Sequence, residues 1–184
     1  MSELASKNQL RMSFARWAMV TVPLVVLLGL LSGVIANSGM GNAWFARLTK
    51  PELMPPGWAF GVIWTLLYAL MGLALALVLD ARGARGRPFA LVLFGVQLVL
   101  NLAWSPVFFG AHQAHFAVLL LAIIFVAAFA NCVAFGRIRT QAAWLLVPYL
   151  AWLCVATVLG YQIDQLNPNA AQLGKAAGTA HIVR

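Results

Sequence analysis

The chain has 184 residues, of which 63% are hydrophobic and only 9% charged, and it carries a formal net charge of +8. Soluble domains run at roughly 45–50% apolar and about 25% charged residues, so this balance excludes a soluble globular protein and indicates an all-α integral membrane protein. Cys132 and Cys154 stand in separate apolar runs, where cysteine acts as a small buried hydrophobe, which argues against a disulfide-stapled scaffold.

Residues 1–16 carry Lys7, Arg11 and Arg16 and are expected to form an N-terminal segment outside the bilayer. The apolar run that follows, residues 17–37, is longer than the 7–15 residues of a signal-peptide core, so it is expected to remain as a span. Gly29 and Gly33 give it a small-xxx-small face suited to close helix packing, and Gly57 with Gly61 repeats the device at the start of the second run. Between them lies an unusual loop. It holds Trp44, Phe45, Arg47 and Lys50, and then prolines at 51, 55 and 56, each of which fixes φ and biases its predecessor toward extended backbone. A connector that only linked two spans would need neither the rings nor the stiffness, so a structured lid is expected here.

The second run, residues 58–80, places Phe60, Trp64 and Tyr68 on one face at i, i+4, i+8. The third, residues 89–109, aligns Gln97, Asn101 and Ser105, with Trp104 beside Asn101 and Pro106 able to bend the helix. His112 and His115 follow in the next loop; their spacing could hold a metal, although an interfacial polar role suits them better. Residues 115–135 make a fourth run, and residues 143–163 a fifth, on which Trp152, Ala156 and Gly160 set a large ring before missing volume. Each run is close to the ~20 residues that cross ~30 Å of hydrocarbon, and no alternating barrel pattern is present. The expected fold is therefore a bundle of five transmembrane helices with a structured first loop. Residues 168–184, with Gly174 and Gly178, are expected to form a flexible tail.

With five spans, Lys7, Arg11, Arg16, Arg82, Arg85, Arg87, Arg137 and Arg139 share one side, and only Arg47, Lys50, Lys175 and Arg184 the other. Positive-inside bias then puts the N-terminus in the cytoplasm, if the membrane is a bacterial inner membrane, and the lid outside. The basic surplus is accounted for by topology and contact with anionic lipid, without nucleic acid. No Asp, Glu, Lys or Arg lies mid-span; Asp80 and Asp164 sit at span ends as interfacial caps. An ion-coupled pump needs an intramembrane ionisable group, which this chain lacks. The aromatic, polar and Trp-then-small faces, brought together, would form a flat apolar slot with a few hydrogen-bonding groups; each could equally serve helix packing.

The residues that carry these faces also resemble a known family. Trp44-Phe45, Leu48, Lys50-Pro51, Pro55-Pro56, Trp64-Thr65, Tyr68, Met71-Gly72, the segment from Asn101 to Gly110, Pro148-Tyr149, Trp152 and Ala156-Thr157 are similar, in this order, to the translocator protein/tryptophan-rich sensory protein (TspO/MBR) family. The resemblance covers about residues 17–167. It implies a five-helix domain, often a homodimer, that binds porphyrins and, in some members, sterols or synthetic isoquinoline-type ligands beneath the first loop. By motif position it points to Trp64, Asn101, Trp152 and Ala156 as pocket residues, with Phe45 and Pro55 from the lid.

The candidate ligand-binding set is therefore Trp44, Phe45, Pro55, Phe60, Trp64, Tyr68, Gln97, Asn101, Trp104, Trp152 and Ala156. The expected ligand is a tetrapyrrole, porphyrin or haem, held for sensing, sequestration or transport, with no obligatory cofactor and no metal site. Two departures from the family pattern stand out. Phe45 replaces a common tyrosine, and after Tyr161 no cation follows within five residues, so the sterol-associated pattern fails and cholesterol is a doubtful partner. No nucleophile, acid–base pair or metal set supports ordinary catalysis. An enzymatic alternative is the light- and oxygen-dependent breakdown of a bound porphyrin flanked by Trp64 and Trp152; a sterol-binding translocator or a signalling scaffold is a further one.

Overall fold

A computed structural model describes residues 7–173. In chain order these form α1 (Lys7–Ile35), α2 (Ala43–Arg47), α3 (Gly57–Asp80), α4 (Arg87–Ser105), a π turn (Pro106–Gly110), α5 (Ala114–Gly136) and α6 (Thr140–Leu166), with no strand among the described residues. Among the described residues, five stretches are long and apolar enough to cross a bilayer: Met12–Ile35, Gly57–Asp80, Arg87–Gly110, Ala114–Gly136 and Thr140–Leu166. At about 1.5 Å per residue each exceeds the ~30 Å hydrocarbon core, and the backbone polar groups are satisfied within the helices. The protein is an integral, multi-pass, all-α membrane protein.

The spans pack in the circular order α1, α3, α6, α5, α4, and α4 closes lightly on α1. Between α1 and α3 the approach is close at two points. A Cβ added at Gly72 would stand 2.7 Å from Val22 Cα and 3.0 Å from Thr21 O, and one added at Gly29 would overlap the Tyr68 ring. The Thr21 hydroxyl donates to Gly72 O at 2.8 Å, a bond that only such close backbones allow. Gly33 and Gly61 do not make a helix contact of this kind, since an added Cβ would meet only Ser38 atoms near 4 Å at the first and open space at the second.

At the closing seam, Pro106 has no N–H to give to Leu102 O, the acceptor four residues earlier. The Ser32 hydroxyl of α1 takes that carbonyl at 2.6 Å. Beyond the proline the helix widens into the π turn, with Ala111 N–H donating to Pro106 O at 2.8 Å. The third span thus departs from a single α-helix over its last residues. At the other end of the bundle, Arg87 donates to Val78 O at 3.0 Å and Leu79 O at 2.8 Å, capping the last turn of α3.

Two expected boundaries move. Helix α1 begins at Lys7, inside the segment expected before the first span, and it ends at Ile35, with Asn37 in the left-handed region at φ 50°. Asparagine accepts that conformation because its side chain bonds locally. The tail expected to be flexible from residue 168 starts instead as a packed segment, in which Ala170 is buried and accepts the Trp44 indole N–H at 2.8 Å. The remainder of that tail, and residues 1–6, lie outside the described residues.

Candidate ligand-binding cavity

The first loop folds into a lid because its short helix is capped at both ends. Asn42 Oδ1 accepts the N–H groups of Trp44 at 3.1 Å and Phe45 at 3.0 Å, while its Nδ2 donates to Phe109 O in the π turn at 3.2 Å. At the other end Lys50 Nζ donates to Phe45 O at 2.9 Å and Leu48 O at 3.0 Å, and lies 4.8 Å from the centre of the Phe45 ring. A second clasp joins the lid to the end of α6. Asn167 Oδ1 accepts Thr49 N–H at 2.8 Å, and Nδ2 donates to Thr49 O at 2.9 Å and Ile163 O at 2.8 Å. The side-chain amide thus pairs with both backbone groups of one lid residue, as a neighbouring strand would.

Beneath the lid lies a cavity of about 560 Å³. Its walls carry Phe45 and Pro55 from the lid, Phe60, Trp64 and Tyr68 from α3, Asn101 and Trp104 from α4, and Trp152 and Ala156 from α6. All nine belong to the set expected from the sequence. Trp64 stacks on Tyr68 with ring centroids 5.3 Å apart, and Phe60 meets Trp152 edge-on at 5.8 Å. Among the described residues, no Asp, Glu, Lys, Arg or His lines the space. The exposed lining residues, Leu30, Val34, Asn37, Ser38, Met40, Gly57 and Gly61, cluster where α1 ends and α3 begins, so the cavity opens on that side of the bundle.

Two expected wall residues stand elsewhere. Trp44 is buried behind the lid, edge-on to Phe108 at 5.3 Å and 4.8 Å from the His112 ring, with its indole N–H spent on Ala170 O. It anchors the lid and does not reach the cavity. Gln97 is one helical turn deeper than Asn101 and donates to the Tyr149 hydroxyl at 2.6 Å. That hydroxyl donates to Asn101 Oδ1 at 3.0 Å, and Asn101 Nδ2 donates to the Tyr68 oxygen at 3.1 Å. Residue spacing alone linked Gln97 to Asn101; it could not reveal that Tyr149, two elements away, joins them. Phe108 and Phe109 also line the cavity and were not singled out, because their direction depends on the π turn.

The two histidines have separate partners. His112, at φ 58°, packs against Trp44 with the rings tilted by 37°, and desolvation lowers its pKa. His115 Nδ1 lies 2.9 Å from Asp164 Oδ2, tying the start of α5 to the last turn of α6. Among the described residues no group of three His, Cys, Asp or Glu side chains gathers.

Known proteins share both this sequence pattern and its extent. The family model of the TspO/MBR family matches residues 19–166. The human translocator protein is 41% identical over 142 residues, which cover 76% of this chain and 84% of that protein. The tryptophan-rich protein TspO of Chlorobaculum tepidum is 38% identical over 126 residues, 68% of this chain and 80% of its own length. Protein CrtK of Rhodobacter capsulatus is 35% identical over 138 residues, 74% of this chain and 84% of its own. The matched region runs from the first span through the last and includes every cavity residue named above, and on that footing the chain belongs to the TspO/MBR family.

Proposed function

We propose that this membrane protein binds a tetrapyrrole, porphyrin or haem, in the cavity beneath the lid, and holds it for sensing or transport across or along the bilayer. The observation that carries the reading is a cavity of about 560 Å³, within the roughly 300–1,000 Å³ of small-molecule sites, walled by flat rings and free of charged side chains. Its open side lies where α1 ends and α3 begins, and exposed Leu30 and Val34 give that rim an apolar flank suited to a lipid-soluble ligand. Such a ligand gains little hydrophobic free energy on leaving lipid for an apolar slot. Selection rests on shape, ring stacking and the few polar groups, each stacked pair contributing about 0.5–1.5 kcal/mol beyond area. With the lid on the outer side, the basic residues Arg82, Arg85, Arg137 and Arg139 face the cytoplasm.

Porphyrin absorbance titrations in detergent test this reading. Trp152→Ala is expected to weaken binding by roughly two- to tenfold, from the loss of one ring wall, whereas Trp17→Ala, away from the cavity, leaves it unchanged. Equal losses in the two variants would reject the pocket. The placement of both Trp64 and Trp152 on the wall also suits photochemical breakdown of the ligand. Illuminating the complex in air separates the two readings: a porphyrin spectrum that persists supports holding, and one that decays only with both tryptophans present supports breakdown.

A further inference from the structure

We propose that the buried chain Gln97–Tyr149–Asn101–Tyr68 fixes the hydrogen-bonding polarity of the cavity wall, making it a donor surface that selects flat ligands bearing an acceptor oxygen, with Gln97 and Tyr149 as positioning residues outside the cavity. This rests on the cavity being a ligand site, as argued above. Each phenol has a single proton to give. Tyr149 has one, and it goes to Asn101 Oδ1 at 3.0 Å, while its oxygen accepts from Gln97 Nε2 at 2.6 Å. An Asn101 oxygen held in that way turns the amide nitrogen toward Tyr68, whose oxygen accepts it at 3.1 Å. Tyr68 then has a proton left over, and no acceptor takes it among the described residues. Tyr68 and Asn101 line the cavity; Gln97 and Tyr149 do not.

The direction is cooperative, because each member can be reversed only if all are. With Tyr149 donating to Gln97 Oε1, Asn101 would turn its nitrogen to Tyr149 and its oxygen to Tyr68, and the wall would present a lone pair in place of a proton. A side chain that never touches ligand thus decides which ligands find a partner. A carbonyl or carboxylate oxygen supplies what the Tyr68 hydroxyl lacks, and an unpartnered donor rejects a ligand that cannot.

A matched pair of rigid flat probes, 9-fluorenone and fluorene, differs by one carbonyl oxygen and little in shape. Calorimetric titration of the full-length protein in detergent is expected to show fluorenone binding about two- to tenfold tighter than fluorene, with its carbonyl stretch moved to lower wavenumber when bound. Tyr149→Phe frees Asn101 to turn and accept the Tyr68 proton, so the preference and the infrared shift should both shrink while fluorene affinity holds. Tyr68→Phe should remove them. A merely structural role for Tyr149 would weaken both probes together. Equal binding of the two probes by the unaltered protein, or an unchanged preference in Tyr149→Phe, would overturn the proposal and leave the cavity reading intact. A preference retained in Tyr68→Phe would assign the donor to Trp64 or Trp152 and overturn it too. Failure of both probes to bind, by contrast, would remove the cavity as a site and the proposal with it.

Discussion

Asn131 has the least comfortable side chain in the bundle. It is 1% exposed, and neither its Nδ2 nor its Oδ1 has a hydrogen-bond partner among the described residues. A buried amide in that condition costs about 1–3 kcal/mol, so replacement by an apolar residue of similar shape is expected to stabilise the fold. Asn131→Leu should raise the thermal midpoint in detergent, by an increment of about 1 kcal/mol, with porphyrin affinity unchanged because Asn131 is not a cavity residue. A lowered midpoint would show that the amide holds a partner such as an internal water. Ala156 makes the opposite case at the same scale. It lies on the cavity wall opposite open volume, so Ala156→Phe is expected to fold and to block porphyrin, read as loss of the absorbance change in a protein of unaltered helicity. Residues of this second kind were legible in the sequence, since a tryptophan, an alanine and a glycine at helical spacing announce ring and gap. Trp44 was not, because an aromatic in a loop gives no sign of which way its ring turns until its indole N–H finds Ala170 O.

At the scale of elements, the five spans could be read from apolar length, while the lid needed contacts that no local pattern contains. Pro51, Pro55 and Pro56 announced a stiff loop, but the clasp that holds it comes from Asn167, well over a hundred residues further along the chain. The same distance explains why the start of the tail, expected to be flexible with the rest of it, is packed in the structure: what orders it is the lid. If Asn167 is the clasp, Asn167→Ala removes two bonds to Thr49 and one to Ile163 O, and the lid should open more often. Hydrogen exchange of the lid amides, from Trp44 to Thr49, is expected to quicken by roughly tenfold or more, at about 1 kcal/mol per lost bond, while the amides in the middle of α3 and α5 exchange as before. Porphyrin should leave faster and bind at a similar rate, because an opened lid frees the ligand without obstructing its approach. Unchanged exchange in the lid would assign its closure to Asn42 and Lys50 alone.

For the whole molecule, the shape of the cavity depends on how closely α1 lies against α3. The sequence offered four candidate glycines for close packing, Gly29, Gly33, Gly57 and Gly61, and the structure divides them. All four line the cavity, but an added Cβ would overlap the Tyr68 ring at Gly29 and stand 3.2 Å from Met40 Cγ at Gly57, whereas Gly33 and Gly61 leave room. The tightest backbone approach is at Gly72, which forms a small-xxx-small pair with Ala76 that stood outside those four candidates. Spacing motifs report where helices can approach, and only the assembled bundle shows where they do. Gly72→Ala tests that division. Its added methyl would stand 2.7 Å from Val22 Cα, so α1 must move off α3, weakening the Thr21 to Gly72 O bond and widening the seam beside Tyr68. Overpacking of this kind costs typically 1–3 kcal/mol, and the thermal midpoint should fall accordingly. Gly61→Ala, with open space around its Cβ, should leave stability unchanged and remove cavity volume instead. The two substitutions add the same methyl to the same helix, yet one is expected to act on unfolding and the other on ligand affinity. Thermal denaturation and porphyrin titration on both variants decide it: a stable Gly72→Ala, or a destabilised Gly61→Ala, would mean that the α1–α3 crossing is not where the bundle is held.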